Sequence, residues 1–241
     1  KRGFERKIPD EAGIRNSKES KCPVFSKCGG CQHLDIPYAE QVEIKQKNTA
    51  KLLDKFCKVD PMIPMGNPYH YRHKVHAVFH RKKDGTVVSG VYEEKTHNVL
   101  PVEHCYIENQ KAATIIHSIT GLIKSFKLWI YHEDTGLGLL RHVVIRVGRN
   151  SGQIMVVVVT ASPIFPSKNN FVKALVSKHP EITTIVQNIN DKQTSMVLGD
   201  RDIVMYGKGY IEDSLCGKRF RISPRSFFQV NPIQTEVLYE T

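Results

Sequence analysis

Apolar residues recur at helical spacing in two segments of the chain, and a capping residue predicts a third helix. Pro37 suits a first helical position, and the apolar stripe that follows it predicts an amphipathic helix that ends near Cys57. A stripe of isoleucines and leucines predicts a second helix at 107–126. Ser167 can cap a third helix that runs to about residue 178.

Strands are predicted between these helices. Val75, Ala77 and Phe79 alternate with cationic neighbours, so we expect a strand with Phe79 in the core. Asp84-Gly85 is a plausible hairpin turn into a second strand. Further strands are predicted at 139–147 and 153–160, joined by the turn 149–152, then at 182–189 and within 203–230. Helices that alternate with consecutive hairpins predict an α+β fold with a mainly antiparallel sheet and packed helices.

Length and charge narrow the class of protein. A chain of 241 residues holds one or two domains at roughly 100–200 residues each, and residues 1–21 are polar without periodicity, which predicts a tail or linker. Lys and Arg outnumber Asp and Glu by 35 to 24, a net charge of +11 that favours a nucleic-acid partner. No secretory signal and no long apolar run are present, so we expect a cytoplasmic protein without membrane contact.

Three of the six cysteines form the pattern C-x5-C-x2-C at Cys22, Cys28 and Cys31. The spacing is open to three interpretations: a disulfide framework, a zinc site or part of an iron–sulfur cluster. A reducing compartment disfavours the disulfides. Zinc ribbons show paired short knuckles, and the spacing also differs from that of bacterial ferredoxins. On spacing alone, the pattern favours an iron–sulfur cluster over zinc.

A cluster needs a fourth ligand, and three cysteines compete for that place. Cys57 is predicted at the far end of a helix and Cys216 lies next to a probable turn far along the chain. Cys105 follows the first β segment in a loop that is able to return to the first three cysteines, so it is the preferred ligand. Gly29-Gly30 permits the tight backbone path that converging thiolates require.

Cationic side chains gather around the predicted hairpins and near the end of the chain. Clustered cations typically contact phosphates, although any single one is equally consistent with a solvated surface. The predicted RNA-binding residues are Arg72, Lys74, Arg81, Arg141, His142, Arg146 and Arg225, with Lys82, Lys83, Lys218, Arg219 and Arg221 beside them.

Several blocks together carry a resemblance to a known family. The segment CPVFSKCGGCQHLDIPYAEQ at 22–41, YRHK at 71–74, VEHC at 102–105, GLLRH at 138–142 and SFFQVN at 226–231 stand in the family's order. They resemble the RNA 5-methyluridine methyltransferases, and most closely the branch with an iron–sulfur cluster that methylates uracil in 23S ribosomal RNA.

The resemblance implies a 4Fe-4S cluster on Cys22, Cys28, Cys31 and Cys105, in which the cluster braces the fold. It implies S-adenosylmethionine as the methyl donor, with Gln229 at the site of donor and uracil. The family's chemistry adds a cysteine thiolate to C6 of uracil, which must leave its stack. By the same resemblance, that cysteine and its carboxylate base lie beyond Thr241, so no catalytic residue is expected in this fragment.

The resemblance also implies a division into domains, and alternative functions remain open. We expect an iron–sulfur RNA-binding domain at 22–225, with its cluster segment at 22–106, followed at 226–241 by the start of a Rossmann-like methyltransferase domain. No protein partner is implied. The alternatives are a non-catalytic iron–sulfur or zinc RNA-binding module, a tRNA uridine C5 methyltransferase, and a small electron carrier, which the charge of +11 disfavours.

Overall fold

The computed structural model describes residues 20–241. The chain separates into two compact units, Lys1–Met62 and Ile63–Thr241. Residues 1–19 of the tail predicted at 1–21 lie outside the described residues. No helix among the described residues is long and apolar enough to cross a membrane.

The described part of the first unit contains two helices, α1 (Phe25–Cys28) and α2 (Tyr38–Leu53). Gly29 ends α1 at φ 66°, a left-handed conformation that glycine adopts without steric cost. Helix α2 starts where the sequence predicts and ends four residues short of Cys57. None of its sixteen residues, all of them described, is buried, and Phe56 beyond its end is 82% exposed. The apolar stripe that the sequence predicts on α2 is therefore not buried.

The second unit is built on a mixed sheet of seven strands with the order β3-β2-β1-β4-β5-β6-β7. The strands are β1 (Lys74–Arg81), β2 (Val87–Tyr92), β3 (Val99–Pro101), β4 (Leu140–Val147), β5 (Ile154–Thr160), β6 (Ile182–Ile189) and β7 (Arg201–Tyr206). All neighbours pair antiparallel except β5 and β6. The mainly antiparallel α+β prediction is confirmed, and the parallel pair was not foreseen.

Two helices cover one face of this sheet, α3 (Gln110–Ser125) and α4 (Lys168–Lys178). Asn109 caps α3 by accepting hydrogen bonds from the backbone of Lys111 and Ala112. Phe79 points into this core and is 3% exposed, as predicted. Ser167 precedes α4 as predicted but makes no side-chain cap bond, because its backbone lies in the left-handed region at φ 51°.

The opposite face is covered over only part of its width. A hairpin of β8 (Ile211–Leu215) and β9 (Lys218–Ile222) packs against β4, β5 and β6 through Ile211 and Ile222. Phe228 packs against the same cluster, and helix α5 (Pro232–Glu240) follows, capped by Asn231. Lys74 and His76 of β1, with His142 and Arg146 of β4, lie on this face beside the apolar cluster.

Candidate nucleic-acid interface

Three cations meet on this second face of the sheet. Lys74 and Arg146 are paired directly across β1 and β4. Arg72 stands two residues before Lys74 and is fixed by backbone hydrogen bonds with Ile107 and Asn109. Alternate residues of an extended chain point to the same side, so Arg72 and Lys74 share a face. We call Arg72, Lys74 and Arg146 the basic cluster.

The basic cluster brings three cations together, and the carboxyl of Glu108 lies near one of them: burial raises the pKa of Glu108, and the charge of Arg72 lowers it. Burial lowers the pKa of Lys74, and the nearby Arg146 and Arg72 lower it further. Burial, with Lys74 and Arg72, also lowers the pKa of His76 to about 4, so this histidine is neutral at physiological pH. Within the part of the chain that is described, none of the three cations forms an ion pair. A bound polyanion would relieve this repulsion.

Arg146 also positions the segment that leads into α5. It is 5% exposed, and its Nη2 donates to the carbonyl oxygens of Pro224 and Ser226. Arg225 lies between these two residues, and its side chain is half exposed although it bonds the carbonyl of Asp200 and approaches the Asp202 carboxylate at 3.5 Å. The Arg225 side chain is therefore an accessible cation that is directed to the start of β7 and paired with a carboxylate there.

Two neighbouring phenylalanines in the same segment differ in exposure to solvent. Phe228 packs inward with its ring centroid 5.8 Å from that of Phe220. Phe227 is 87% exposed, so it presents an aromatic ring to solvent. Gln229 is half-buried, and the carbonyl of Val230 accepts a hydrogen bond from the backbone of His73. The predicted donor-site residue Gln229 thus lies beside the start of β1, next to the basic cluster.

The remaining predicted RNA-binding cations do not join this cluster. Arg81 ends the eight-residue strand that Lys74 begins, so at roughly 3.3 Å per residue the two lie about 23 Å apart. Its guanidinium is exposed and donates to the carbonyls of Gly85 and Leu128. The exposed Lys82 and Lys83 accompany it, so the hairpin forms a separate basic surface.

Arg141 is 2% exposed and is surrounded by protein acceptors. Its Nε and Nη2 bond the two carboxylate oxygens of Glu133 at 3.2 and 2.7 Å. Its Nη1 donates to the carbonyls of Asn190 and Lys192, and the guanidinium lies 4.5 Å from the ring centroid of Tyr131. A phosphate would have to displace one of these partners, so the geometry gives Arg141 an internal bracing role.

His142 is also inside the protein, with 5% exposure. Its Nδ1 lies 3.1 Å from Nε2 of His76, so one of the two rings donates to the other. Burial, with His76 and Arg141, lowers the pKa of His142 to about 3. The ring is therefore neutral at physiological pH and offers no charge to a phosphate.

A cavity of about 530 Å³ opens beside His142. Its walls come from separate parts of the second unit and include Tyr92, Lys95, His97, Glu133, His142 and Ser195. Only His142 was predicted as a functional residue. The others stand alone in their own segments, and no spacing in the sequence signals that they converge.

The three clustered cysteines surround α1. Cys22 and Cys28 flank the turn, in which the backbone N–H of Phe25 donates to the carbonyl of Cys22. A Cβ at Gly30 would come 3.3 Å from the Cys28 sulfur, a tight contact that a glycine avoids. Three thiols suit an iron–sulfur cluster chemically. Among the described residues, however, no group of three or more His, Cys, Asp or Glu side chains is placed to hold a metal ion.

Comparison with known proteins places these features in context. No protein-family model matches the chain. It is 36% identical over 92% of its length to an uncharacterized RNA methyltransferase of Bacillus cereus. It is 39% identical over 92% of its length to one of Clostridium acetobutylicum, and 36% identical over 99% to one of Halalkalibacterium halodurans. The chain covers 50%, 49% and 53% of these relatives respectively.

A solved structure shares the fold. The tRNA (uracil-54, C5)-methyltransferase of Pyrococcus abyssi, in complex with S-adenosyl-L-homocysteine, matches with a TM-score of 0.72 and 24% identity. The match covers 89% of this chain and 49% of that protein. The chain thus spans about half the length of its relatives, and over nearly all of its own length it is related to proteins named RNA methyltransferases.

Proposed function

We propose that this chain is the RNA-binding part of an S-adenosylmethionine-dependent methyltransferase that methylates C5 of a uridine in 23S ribosomal RNA. The RNA methyltransferase relatives and the shared fold support the reaction class. The sequence blocks that resemble the ribosomal branch support the choice of rRNA and of C5. The proposed domain division at 225/226 follows from the same blocks.

The basic cluster, whose three cations lie together without an ion pair among the described residues, is the observation that carries the proposal. Burial is the main cause of the lowered pKa of Lys74, and the neighbouring charges of Arg146 and Arg72 lower it further, so the three cations repel one another. A fold maintains such repulsion only at a cost in stability, which binding of a polyanion offsets. RNA supplies closely spaced phosphates, and displaced counterions contribute to its affinity.

The exposed ring of Phe227 complements these cations. An enzyme that acts on C5 of a uridine needs that base outside its stack, and aromatic side chains stabilise unstacked bases. Phe227 adjoins Ser226, which Arg146 holds by its carbonyl. A strand of RNA whose phosphates contact Arg72 and Lys74 of the basic cluster can therefore place a base on this ring.

Particular residues of the chain are assigned to the methyl donor and to the iron–sulfur cluster. We assign Gln229 to the contact with S-adenosylmethionine, which supplies the methyl group, and this residue would orient donor or uracil through its side-chain amide. Cys22, Cys28, Cys31 and Cys105 would hold a 4Fe-4S cluster that braces the fold. The thiol donors fit its chemistry, and no step of the reaction is assigned to it.

Binding to transcripts of 23S rRNA domains, to tRNA and to single-stranded DNA, measured over a salt series, tests the proposal. We expect the tightest binding to an rRNA transcript, with log Kd rising linearly with log salt. Lys74→Gln removes one cation of the basic cluster and should lower that slope by about one while weakening binding about threefold to tenfold.

Lys173→Gln is the matched control, because Lys173 is exposed on α4, on the helix-covered face. It should leave both affinity and slope unchanged. Equal effects of the two changes would refute a localised interface. Tighter binding to tRNA than to every rRNA transcript would overturn the rRNA assignment and retain RNA binding.

A further inference from the structure

The cavity beside His142 has the size and composition of a ligand site. Its volume of about 530 Å³ falls within the range of roughly 300–1,000 Å³ that is typical of small-molecule pockets. Tyr92 ends β2, Lys95 and His97 belong to the turn before β3, and Ser195 lies in the segment between β6 and β7. Four separate parts of the second unit therefore converge on it.

Aromatic rings form one side of this cavity. The ring of Tyr92 lies 5.6 Å from that of His97 and 6.4 Å from that of His142, measured between centroids. Burial, with the charge of Glu133, raises the pKa of Tyr92 to about 12, so its phenol is neutral at physiological pH. Neutral, half-buried rings of this kind are the surfaces on which planar bases stack.

Oriented polar groups face these rings. Arg141 bonds one donor to each oxygen of the Glu133 carboxylate, which retains further acceptor capacity. Thr96, Thr194 and Ser195 add hydroxyl groups to the lining. Lys95 adds an exposed cation, and its backbone is held in the left-handed region at φ 60°. The lining thus presents an acceptor for an amino group and a cation for a phosphate.

The cavity walls are held in place before any ligand binds. Arg141 fixes the segment after β6 through the carbonyls of Asn190 and Lys192. The Asn190 side chain donates to the carbonyl of Met196 at 2.7 Å, which closes the same segment. A preformed site loses little conformational entropy on binding, so its contacts translate directly into affinity.

We propose that this cavity binds one unpaired nucleobase of the RNA, other than the methylated uridine. The base stacks on Tyr92, its exocyclic amino group donates to Glu133, and its phosphate lies at Lys95. Adenine, cytosine and guanine carry such an amino group, whereas uracil does not. The inference rests on the proposed function. It adds a site that recognises a base and that shares no residue with the basic cluster.

The test titrates the full chain with AMP, CMP, GMP and UMP, and with ribose 5-phosphate as the probe without a base. We expect at least one amino-bearing nucleotide to bind about fivefold or more tightly than UMP, and ribose 5-phosphate to bind more weakly than all four. Ser195→Trp should fill the cavity and weaken that nucleotide about tenfold or more.

Two matched controls separate the cavity from general effects. Ser177→Trp introduces the same side chain at an exposed position of α4 and should leave nucleotide binding unchanged. His97→Ala should weaken binding severalfold, whereas His117→Ala, an exposed histidine of α3, should not. Equal binding of ribose 5-phosphate and nucleotides, or unchanged binding by Ser195→Trp, would overturn the inference.

The same variants distinguish this inference from the proposed function. If Lys74→Gln weakens rRNA binding while Ser195→Trp changes neither RNA affinity nor nucleotide preference, the cavity inference fails and the proposed function stands. If Lys74→Gln and added salt leave rRNA affinity unchanged, the proposed function fails, and the assignment of the cavity to RNA fails with it.

Discussion

Arg141 shows how one side chain can join distant parts of the fold. Its guanidinium contacts Glu133, the segment after β6 and the ring of Tyr131. The side chain of Arg141 is fully buried and that of Glu133 is 12% exposed, so the two ions depend on each other for solvation. Loss of either partner would leave a buried charge without compensation.

Replacement of Arg141 by alanine should therefore be costly. We expect Arg141→Ala to lower the free energy of unfolding by about 3–5 kcal/mol, measured by urea denaturation. The control is Arg149→Ala, because the Arg149–Glu236 ion pair is about one-third exposed and should contribute only about 0–1 kcal/mol. Similar losses in the two variants would contradict a bracing role for Arg141.

The histidine pair predicts how stability depends on pH. Burial holds the pKa of His76 at about 4 and that of His142 at about 3, below the value of about 6.5 for an unfolded chain. The unfolded state therefore binds more protons below pH 6.5, and stability is lost as pH falls toward the folded values. Each histidine contributes up to about 1.4 kcal/mol per pH unit in that window.

Urea unfolding at several pH values between about 7 and 5 measures this slope. His142→Asn should flatten it, because the variant lacks one of the two titrating groups. His117→Asn, at an exposed position of α3, should keep the slope of the parent chain. An unchanged slope in His142→Asn would show that other groups govern the loss of stability.

Among the larger elements, the β2–β3 hairpin depends on one glycine. Gly90 is buried in β2, and a Cβ there would overlap the backbone carbonyl of Leu100 on β3. Backbone cannot move aside as a side-chain end does, so the two strands would separate. That change would also shift the turn that carries Lys95 and His97 into the cavity.

Replacement of two glycines by alanine should accordingly change the free energy of unfolding in opposite directions. Gly90→Ala should destabilise the protein and, on the cavity inference, weaken nucleotide binding. Gly121→Ala in α3 meets nothing within 4 Å and should raise the free energy of unfolding by about 0.5–1 kcal/mol, because alanine favours a helix interior. Thermal denaturation of both variants measures the difference, and destabilisation by Gly121→Ala would contradict this assignment.

On the scale of the whole molecule, the two faces of the seven-stranded sheet differ in what covers them. Helices α3 and α4 bury the apolar side chains of one face. The other face carries the basic cluster, the Arg146-bound segment and the cavity, and the net charge of +11 favours an anionic partner. Helices α3 and α4 lie on the first face and so do not cover the basic cluster or the cavity on the second.

The iron–sulfur proposal is tested on the intact chain. After anaerobic purification, we expect stoichiometric iron and sulfide, and their loss in Cys28→Ser and in Cys105→Ser. Cys57→Ser is the control, because Cys57 is exposed beyond the end of α2. Stoichiometric zinc without sulfide, or loss of iron in Cys57→Ser alone, would contradict the proposed ligand set.

The order and type of most elements were predictable from local patterns. The alternation around Phe79 and the isoleucine stripe of α3 report burial of one side, and a residue's burial follows the period of its element. The β6 strand was predicted at its observed bounds, Ile182–Ile189. The parallel pairing of β5 with β6 was not, because a local pattern contains no information on which strands become neighbours.

The candidate site was predictable in chemistry and not in arrangement. Net charge and clustered cations indicated a nucleic-acid partner, yet the fold separates Arg81 from Lys74 and encloses Arg141 among protein acceptors. The cavity joins residues from four segments that have no common spacing. Charge and hydrophobicity are properties of each residue and can be read along the chain, whereas neutralisation, burial and convergence depend on neighbours that only folding brings together.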